Sequence, residues 1–218
     1  MMELCHPARW VRPAERIWRD CRGVSIIEFA LTLPILLMLI LGGLETANYA
    51  LAHLRVSQIA MTVADNAGRV ETRIDEANIF EVFAGAELVG QAIDFEANGR
   101  IVLSSLQPNN LPGADEGQMI NWQRCFGSLA GVTPVYGVED DGRTDNALSS
   151  GLGPPGNQIV SAPGTAVMFV EATYDYQPLV AGLNMIGTRQ IRYESAFNVR
   201  SRTNHAISNT TGLTVHNC

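Results

Sequence analysis

The sequence contains no lysine: all 15 of its basic residues are arginine. That excludes a catalytic lysine, a Schiff base and a P-loop, each of which needs a primary amine. Charge of either sign is scarce, at 17% of 218 residues, and its balance is negative, −7 overall. A nucleic-acid surface is basic, so this balance argues against one. Low charge combined with 46% apolar residues equally excludes a disordered chain. The histidines His6, His53, His205 and His216 fall at no metal-ligand spacing, and HExxH, GxSxG, CxxC and Walker motifs are missing. Gly151-Leu152-Gly153-Pro154-Pro155-Gly156 matches G-x-G-x-x-G letter for letter. It opens no predicted helix, however, and its two prolines place it in a loop, so a nucleotide site is rejected. The expectation is therefore a chain with no catalytic residues, no cofactor and no metal.

Long apolar runs are also absent, with one exception. Phe29 to Leu44 is sixteen residues without a charge, and counting from Val24 extends the run to 21, interrupted only by Glu28. About 20 residues span a bilayer core. Residues 1–23 hold five arginines and three acids, a net +2, so the remaining 195 residues carry −9. A basic head before an apolar run and an acidic body places the N-terminus in the cytoplasm and the body outside. Three kinds of segment fit such a run. A cleaved secretory signal has a shorter apolar core and a small-residue cleavage site, which Leu44-Glu45-Thr46 does not supply. A lipoprotein signal needs a cysteine after the run, and Cys21 lies before it. An uncleaved anchor fits best. Pro34 within the run reads as a gentle kink, which membrane helices tolerate.

Glu28 needs an explanation, because a carboxylate at mid-bilayer costs on the order of 2.5–3.5 kcal/mol. An interfacial acid reaching the headgroups is one account. The surrounding residues, Arg22-Gly23-Val24-Ser25-Ile26-Ile27-Glu28-Phe29, suggest another. Cleavage after Gly23 makes Val24 a new N-terminus with a free ammonium, and Glu28 then stands one helical turn further on the same face. Amine and carboxylate could neutralise each other within a chain or between neighbouring chains, and Glu28 becomes a docking charge for assembly.

The phrase Gly-x-x-x-x-Glu-Phe, with a short arginine-rich leader before it and an apolar helix after it, resembles the class III leaders of type IV pilins. The stretch Arg-Gly-Val-Ser-Ile-Ile-Glu-Phe-Ala-Leu-Thr-Leu-Pro is most similar to TadE-like pseudopilins of the bacterial tight-adherence (Flp) pilus system. The resemblance implies a scissile bond at Gly23–Val24, a prepilin peptidase as the processing enzyme, and Glu28 and Phe29 as the recognition pair. It also implies a pseudopilin or minor pilin acting in Flp pilus assembly and surface adhesion. Its partners would be other pilins and pseudopilins, an inner-membrane assembly platform and membrane lipid. The body would lie in the periplasm, or at the cell surface once in the pilus.

Beyond the run, Ala52, Val56, Ile59, Val63, Ala67 and Val70 recur at helical spacing against Arg55, Gln58, Thr62, Asp65 and Arg69. This predicts one helix from Val24 to Val70, and a second helix from Asp75 to about Ile93, closed by a turn at Asn98-Gly99. Strands are expected over Ile101–Gln107, Met119–Leu129, Ala166–Tyr176 and Ile191–Ser201, alternating so that one sheet face is buried. The expected fold is α+β and pilin-like: a long N-terminal transmembrane and amphipathic helix packed on a roughly four-stranded antiparallel sheet. The expected organisation is a cleaved leader at 1–23, a membrane helix at 24–45, a periplasmic helical region at 46–96, and a β domain at 97–218. Within that domain, residues 127–164 form a long loop containing Glu139, Asp140, Asp141, Asp145 and Asn146. It lacks EF-hand spacing and reads as solvated and mobile. His205 and His216 fall in a polar tail.

Cys5 and Cys21 lie in the leader, whereas Cys125 and Cys218 lie in the exported body. An even pair in an oxidising compartment reads as a disulfide, with two free thiols or an intermolecular bond as the alternatives. The rival to the pilin reading is a non-pilus single-pass protein carrying a periplasmic binding or sensory domain. A secreted protein with an atypical signal is a weaker one.

Overall fold

The computed structural model describes residues 24–179 and 189–218. Helix α1, Val24–Arg69, is 46 residues long, and it ends one residue before the predicted Val70. The described residues divide into two compact units with the boundary between Glu45 and Thr46, and α1 contributes to both.

In the second unit the predicted stripe of α1 is the core stripe. Ala52, Val56, Ile59, Val63 and Ala67 are buried, joined by Ala60 and Ala64, and Val70 packs against the same cluster from its rim. Removal of each large apolar side chain from water stabilises by about 1.5–3 kcal/mol. At the C-terminal end Arg69 Nε donates to Asp65 Oδ2 (2.7 Å), and Arg200 Nη2 lies 3.0 Å from Asp65 Oδ1. Cations in the last turn suit the helix dipole. At the head of this unit His53 Nδ1 lies 3.1 Å from the Tyr193 hydroxyl. The Tyr49 ring meets His53 and Tyr176 edge-on, at 4.6 and 5.0 Å between centroids.

After α1, a short strand β1 (Arg73–Asp75) leads into α2 (Glu76–Gly90), a 3₁₀ turn (Gln91–Ile93) and a four-residue helix α3 (Phe95–Asn98). Asp75 caps α2: its Oδ1 accepts from the Ala77 amide (3.2 Å), and the Asn78 side chain accepts from the Asp75 amide (3.0 Å). This is a reciprocal capping box. Asn98 ends a helix and Gly99 begins a strand, so the expected tight turn is instead a direct helix-to-strand passage.

The sheet has four antiparallel strands in the order β3-β2-β4-β5: β2 Gly99–Pro108, β3 Gln118–Phe126, β4 Val167–Asp175 and β5 Gln190–Asn198. Each lies within three residues of its predicted bounds. One face, carrying Ile101, Leu103, Trp122, Met168, Val170 and Tyr174, shares a core with α1 and α2. The architecture is α+β, a long N-terminal apolar helix with a four-stranded antiparallel sheet.

The expectation of a single buried face is corrected. Eight of the nine residues of β4 are buried, because residues 127–164 cover the second face. There Leu106, Ile120, Val167 and Phe169 form a second apolar cluster with Leu152, flanked by Tyr136 and Leu148. The cover is tied down rather than loose. Gln123 Nε2 donates to the Gly137 carbonyl (3.0 Å), the Val135 amide donates to Glu171 Oε2 (3.1 Å), and the Gln118 and Ser161 amide groups pair in both directions. Gly151 sits at φ 88°, where a side chain would run into the Ile159 carbonyl. This is the start of the G-x-G-x-x-G stretch, which forms a small hairpin closed by Leu152 pairing with Ile159.

The tail is also more ordered than a polar tail suggests. Strand β6 (Asn204–Ser208) contains His205 and pairs in parallel with β1. The His216 carbonyl accepts from the Cys125 amide (2.8 Å), its ring packs on Phe80 and Phe83, and Cys125 is disulfide-bonded to Cys218 across 93 residues. By the chain-entropy account such a loop stabilises by about 4–5 kcal/mol. Cys5 and Cys21 lie outside the described residues.

Asp75 joins these two regions. Its Oδ2 accepts from the Thr210 amide (2.9 Å), the Ser208 hydroxyl (2.7 Å) and the Thr210 hydroxyl (3.0 Å). The Thr210 amide first, then the Ser208 hydroxyl, hold its carboxyl down at about 2, below the ordinary 3.8. A carboxyl depressed on folding adds stability above its unfolded pKa, and that stability disappears as the pH falls through the folded value. Asp75→Asn is therefore expected to be less stable than the parent at about pH 6, with the difference shrinking between about pH 4 and pH 2. Denaturant titrations across that range check this; a gap that stays constant down to the acid end contradicts it.

Candidate functional site

The candidate site is the first half of α1, together with its one acid. Ile35, Leu36, Leu37, Met38, Leu39 and Ile40 are consecutive, and each is 46–70% exposed. Six consecutive helical residues run through more than one full turn, so every side of the helix is apolar and uncovered. Ile26, Ile27, Phe29, Leu31 and Leu44 continue the same surface. A helix apolar all round belongs in a bilayer or among other helices. By length and composition α1 is apolar enough to cross a membrane, and it is the single such helix among the described residues.

Within this surface Glu28 is exposed, between Ile27 and Phe29. It is the first acid of α1, and the next is Glu45. Val24 is the first helical residue, four positions before Glu28 and about 6 Å away along the axis. Gly23 lies outside the described residues, as does the rest of the expected leader. Pro34 interrupts the amide ladder inside the helix. In the turn before it the Thr32 hydroxyl donates to the Phe29 carbonyl (3.2 Å), the kind of side-chain support that membrane helices use near proline.

The second unit brings together charged groups that the sequence pattern did not single out. Arg124 is buried between two acids. Its Nε and Nη2 both donate to Glu76 Oε1 (2.8 and 2.7 Å), and its Nη1 donates to Glu139 Oε2 (3.0 Å) and to the Gln123 carbonyl (2.6 Å). Glu76 opens α2, so this network fastens the helix start to β3 and to the covering segment. The available signal was position: Trp122, Arg124 and Phe126 alternate onto one face, and a cation between two aromatics at an inward site needs a buried partner. Glu171 is a second such acid. Burial raises its carboxyl, the amide hydrogen bond from Val135 opposes that, and Glu194 stands directly opposite on β5. The Tyr136 hydroxyl donates to Glu194 Oε1 (2.6 Å), and burial, then this hydrogen bond, push the phenol up to about 12. These groups tie the covering segment to the sheet. Among the described residues no cluster of three or more His, Cys, Asp or Glu could hold a metal ion.

Residues 23–65 match the family model described as TadE-like protein. This is the family that the opening phrase of the sequence resembles, and the match runs from Gly23 through the exposed apolar half of α1 into its amphipathic half. No curated protein and no solved structure matches the chain.

The continuous exposed apolar surface of residues 26–44 lies in the first unit, and the second unit has its own core. A fragment spanning Thr46–Cys218 is therefore expected to remain monodisperse in buffer without detergent, whereas the full chain is expected to require detergent. Size-exclusion chromatography of both checks this; aggregation of the fragment contradicts it.

Proposed function

Taking the TadE-like segment at residues 23–65 as the premise, we propose that the protein is a pseudopilin or minor pilin of the tight-adherence (Flp) pilus system. The precursor inserts once in the inner membrane, with residues 1–23 in the cytoplasm and the body in the periplasm. A prepilin peptidase recognises Gly23, Glu28 and Phe29 and cuts between Gly23 and Val24. The freed Val24 ammonium and Glu28 then lie one turn apart at the start of α1.

The observation that carries this reading is the placement of a lone carboxylate one turn into a helix that is apolar on every side. In lipid that charge is costly. An ammonium supplied by cleavage lowers that cost, and where it belongs to a neighbouring chain it does so at one relative position only. Assembly is thereby driven and set in register. The second half of α1 supports helix-to-helix packing as well, since Leu51, Leu54 and Met61 are exposed on the side opposite its buried stripe. The function is structural, exercised through contacts with other pilins, with the assembly platform and with lipid.

N-terminal sequencing of the native product tests the reading. The expected start is Val-Ser-Ile-Ile; a start at Met1, or beyond residue 46, contradicts it and favours an anchored binding or sensory module. Gly23→Asp is expected to leave the precursor uncut, and Glu28→Val to insert normally yet fail to assemble. Normal pili from both variants contradict the proposal.

A further inference from the structure

A buried arginine in the second unit has no anion among the described residues. Arg202 lies between β5 and β6 and is 3% exposed, while its neighbours Ser201, Thr203 and Asn204 are exposed. Its Nη2 touches the Met168 sulfur at 3.9 Å, and its Nε and Nη1 are buried without any hydrogen-bond partner. No carboxylate moderates it: burial alone pushes the guanidinium below its ordinary value. Three residues on, His205 repeats the pattern. Its Nε2 is 3.4 Å from the Gly164 carbonyl and its Nδ1 is buried without a partner. Burial, and to a lesser extent Arg202, holds its ring below the usual histidine value.

Arg124 in the same unit shows the ordinary arrangement, a buried guanidinium enclosed by two carboxylates. A buried charge left unpaired is strongly destabilising, so an unmatched guanidinium beside an unmatched imidazole nitrogen points to a partner from outside the chain. One fixed, buried positive charge is neutralised by one negative charge, and the planar guanidinium edge matches a carboxylate.

We propose that Arg202, with His205 beside it, forms a binding site for a carboxylate, reached past the exposed side chains of Ser201 and Thr203. The carboxylate is either that of a free small acid or an acidic side chain of a second copy of this chain. The site does not depend on the pilin reading, since all of its groups lie within residues 164–205.

Acetate is the probe. In detergent, the full chain titrated with sodium acetate is expected to rise in thermal midpoint by roughly 5 °C near saturation, relative to sodium chloride at equal ionic strength. Arg202→Met is expected to show no such difference. Replacement of a buried ion by an apolar side chain of similar length is commonly neutral or stabilising, so the variant is expected to fold. A second readout uses the parent protein alone: the Arg202 ¹⁵Nε–Hε resonance is expected to move saturably with acetate. Sedimentation in the same titration separates the sources. Acetate that dissociates self-associated protein assigns the natural carboxylate to a second copy; association insensitive to acetate assigns it to a free acid. An equal response to acetate and chloride, or an acetate response retained in Arg202→Met, overturns the proposal.

Discussion

Water is a poor environment for the first half of α1. A helix with one apolar face can fold that face onto its own domain, but residues 35–40 are exposed through a complete turn and leave no polar side to turn outward. Lipid or other apolar helices must surround it. Against that surround the sequence places one carboxylate, Glu28, one turn from Val24. The length of the run, the tolerated proline and the position of the acid all answer to this one constraint. The helix is made to be enclosed, and its single charge fixes where enclosure can be completed.

The second unit solves a different problem. It holds many polar groups in or at the edge of its core, and several attach one segment to another. Asp75 joins the start of α2 to the chain after β6. Arg124 joins α2, β3 and the covering segment through Glu76 and Glu139. Glu171 and Glu194 hold residues 135–136 over β4 and β5. Cys125 and Cys218 close the tail onto the edge strand. A buried polar group costs free energy unless it is matched, so each of these contacts specifies one arrangement and penalises the others. Arg202 differs from Arg124 in that its Nε and Nη1 have no partner among the described residues.

Much of this was legible in the sequence because periodicity reports burial. The spacing of Ala52, Val56, Ile59, Val63 and Ala67 located the core stripe of α1. Asp75 marked the start of α2, and alternation around Trp122, Met168 and Tyr193 located three strands. The junction residues Gly23, Val24, Glu28 and Phe29 stood out by chemistry, an acid in an apolar run after a basic head. What escaped lacks a period. Residues 127–164 cover a sheet face through isolated side chains, Tyr136, Leu148 and Leu152, on an irregular backbone rich in glycine, and composition alone makes such a segment resemble a solvated loop. Strands β1 and β6 span three and five residues, too few for alternation to register. Arg124 and Arg202 look like surface arginines until the fold shows what surrounds them.

The central claim is that a carboxylate and a new N-terminal amine meet at the start of α1. The most direct measurement is a ¹⁵N–¹³C dipolar recoupling experiment on assembled material, mixing one pool labelled at the Val24 amine with another labelled at the Glu28 carboxyl carbon. The account predicts coupling that corresponds to about 4 Å, either in the mixed sample, for pairing between chains, or in a sample doubly labelled and diluted, for pairing within one. Separations beyond about 6 Å in both samples would leave the acid without the cation assigned to it and would contradict the account.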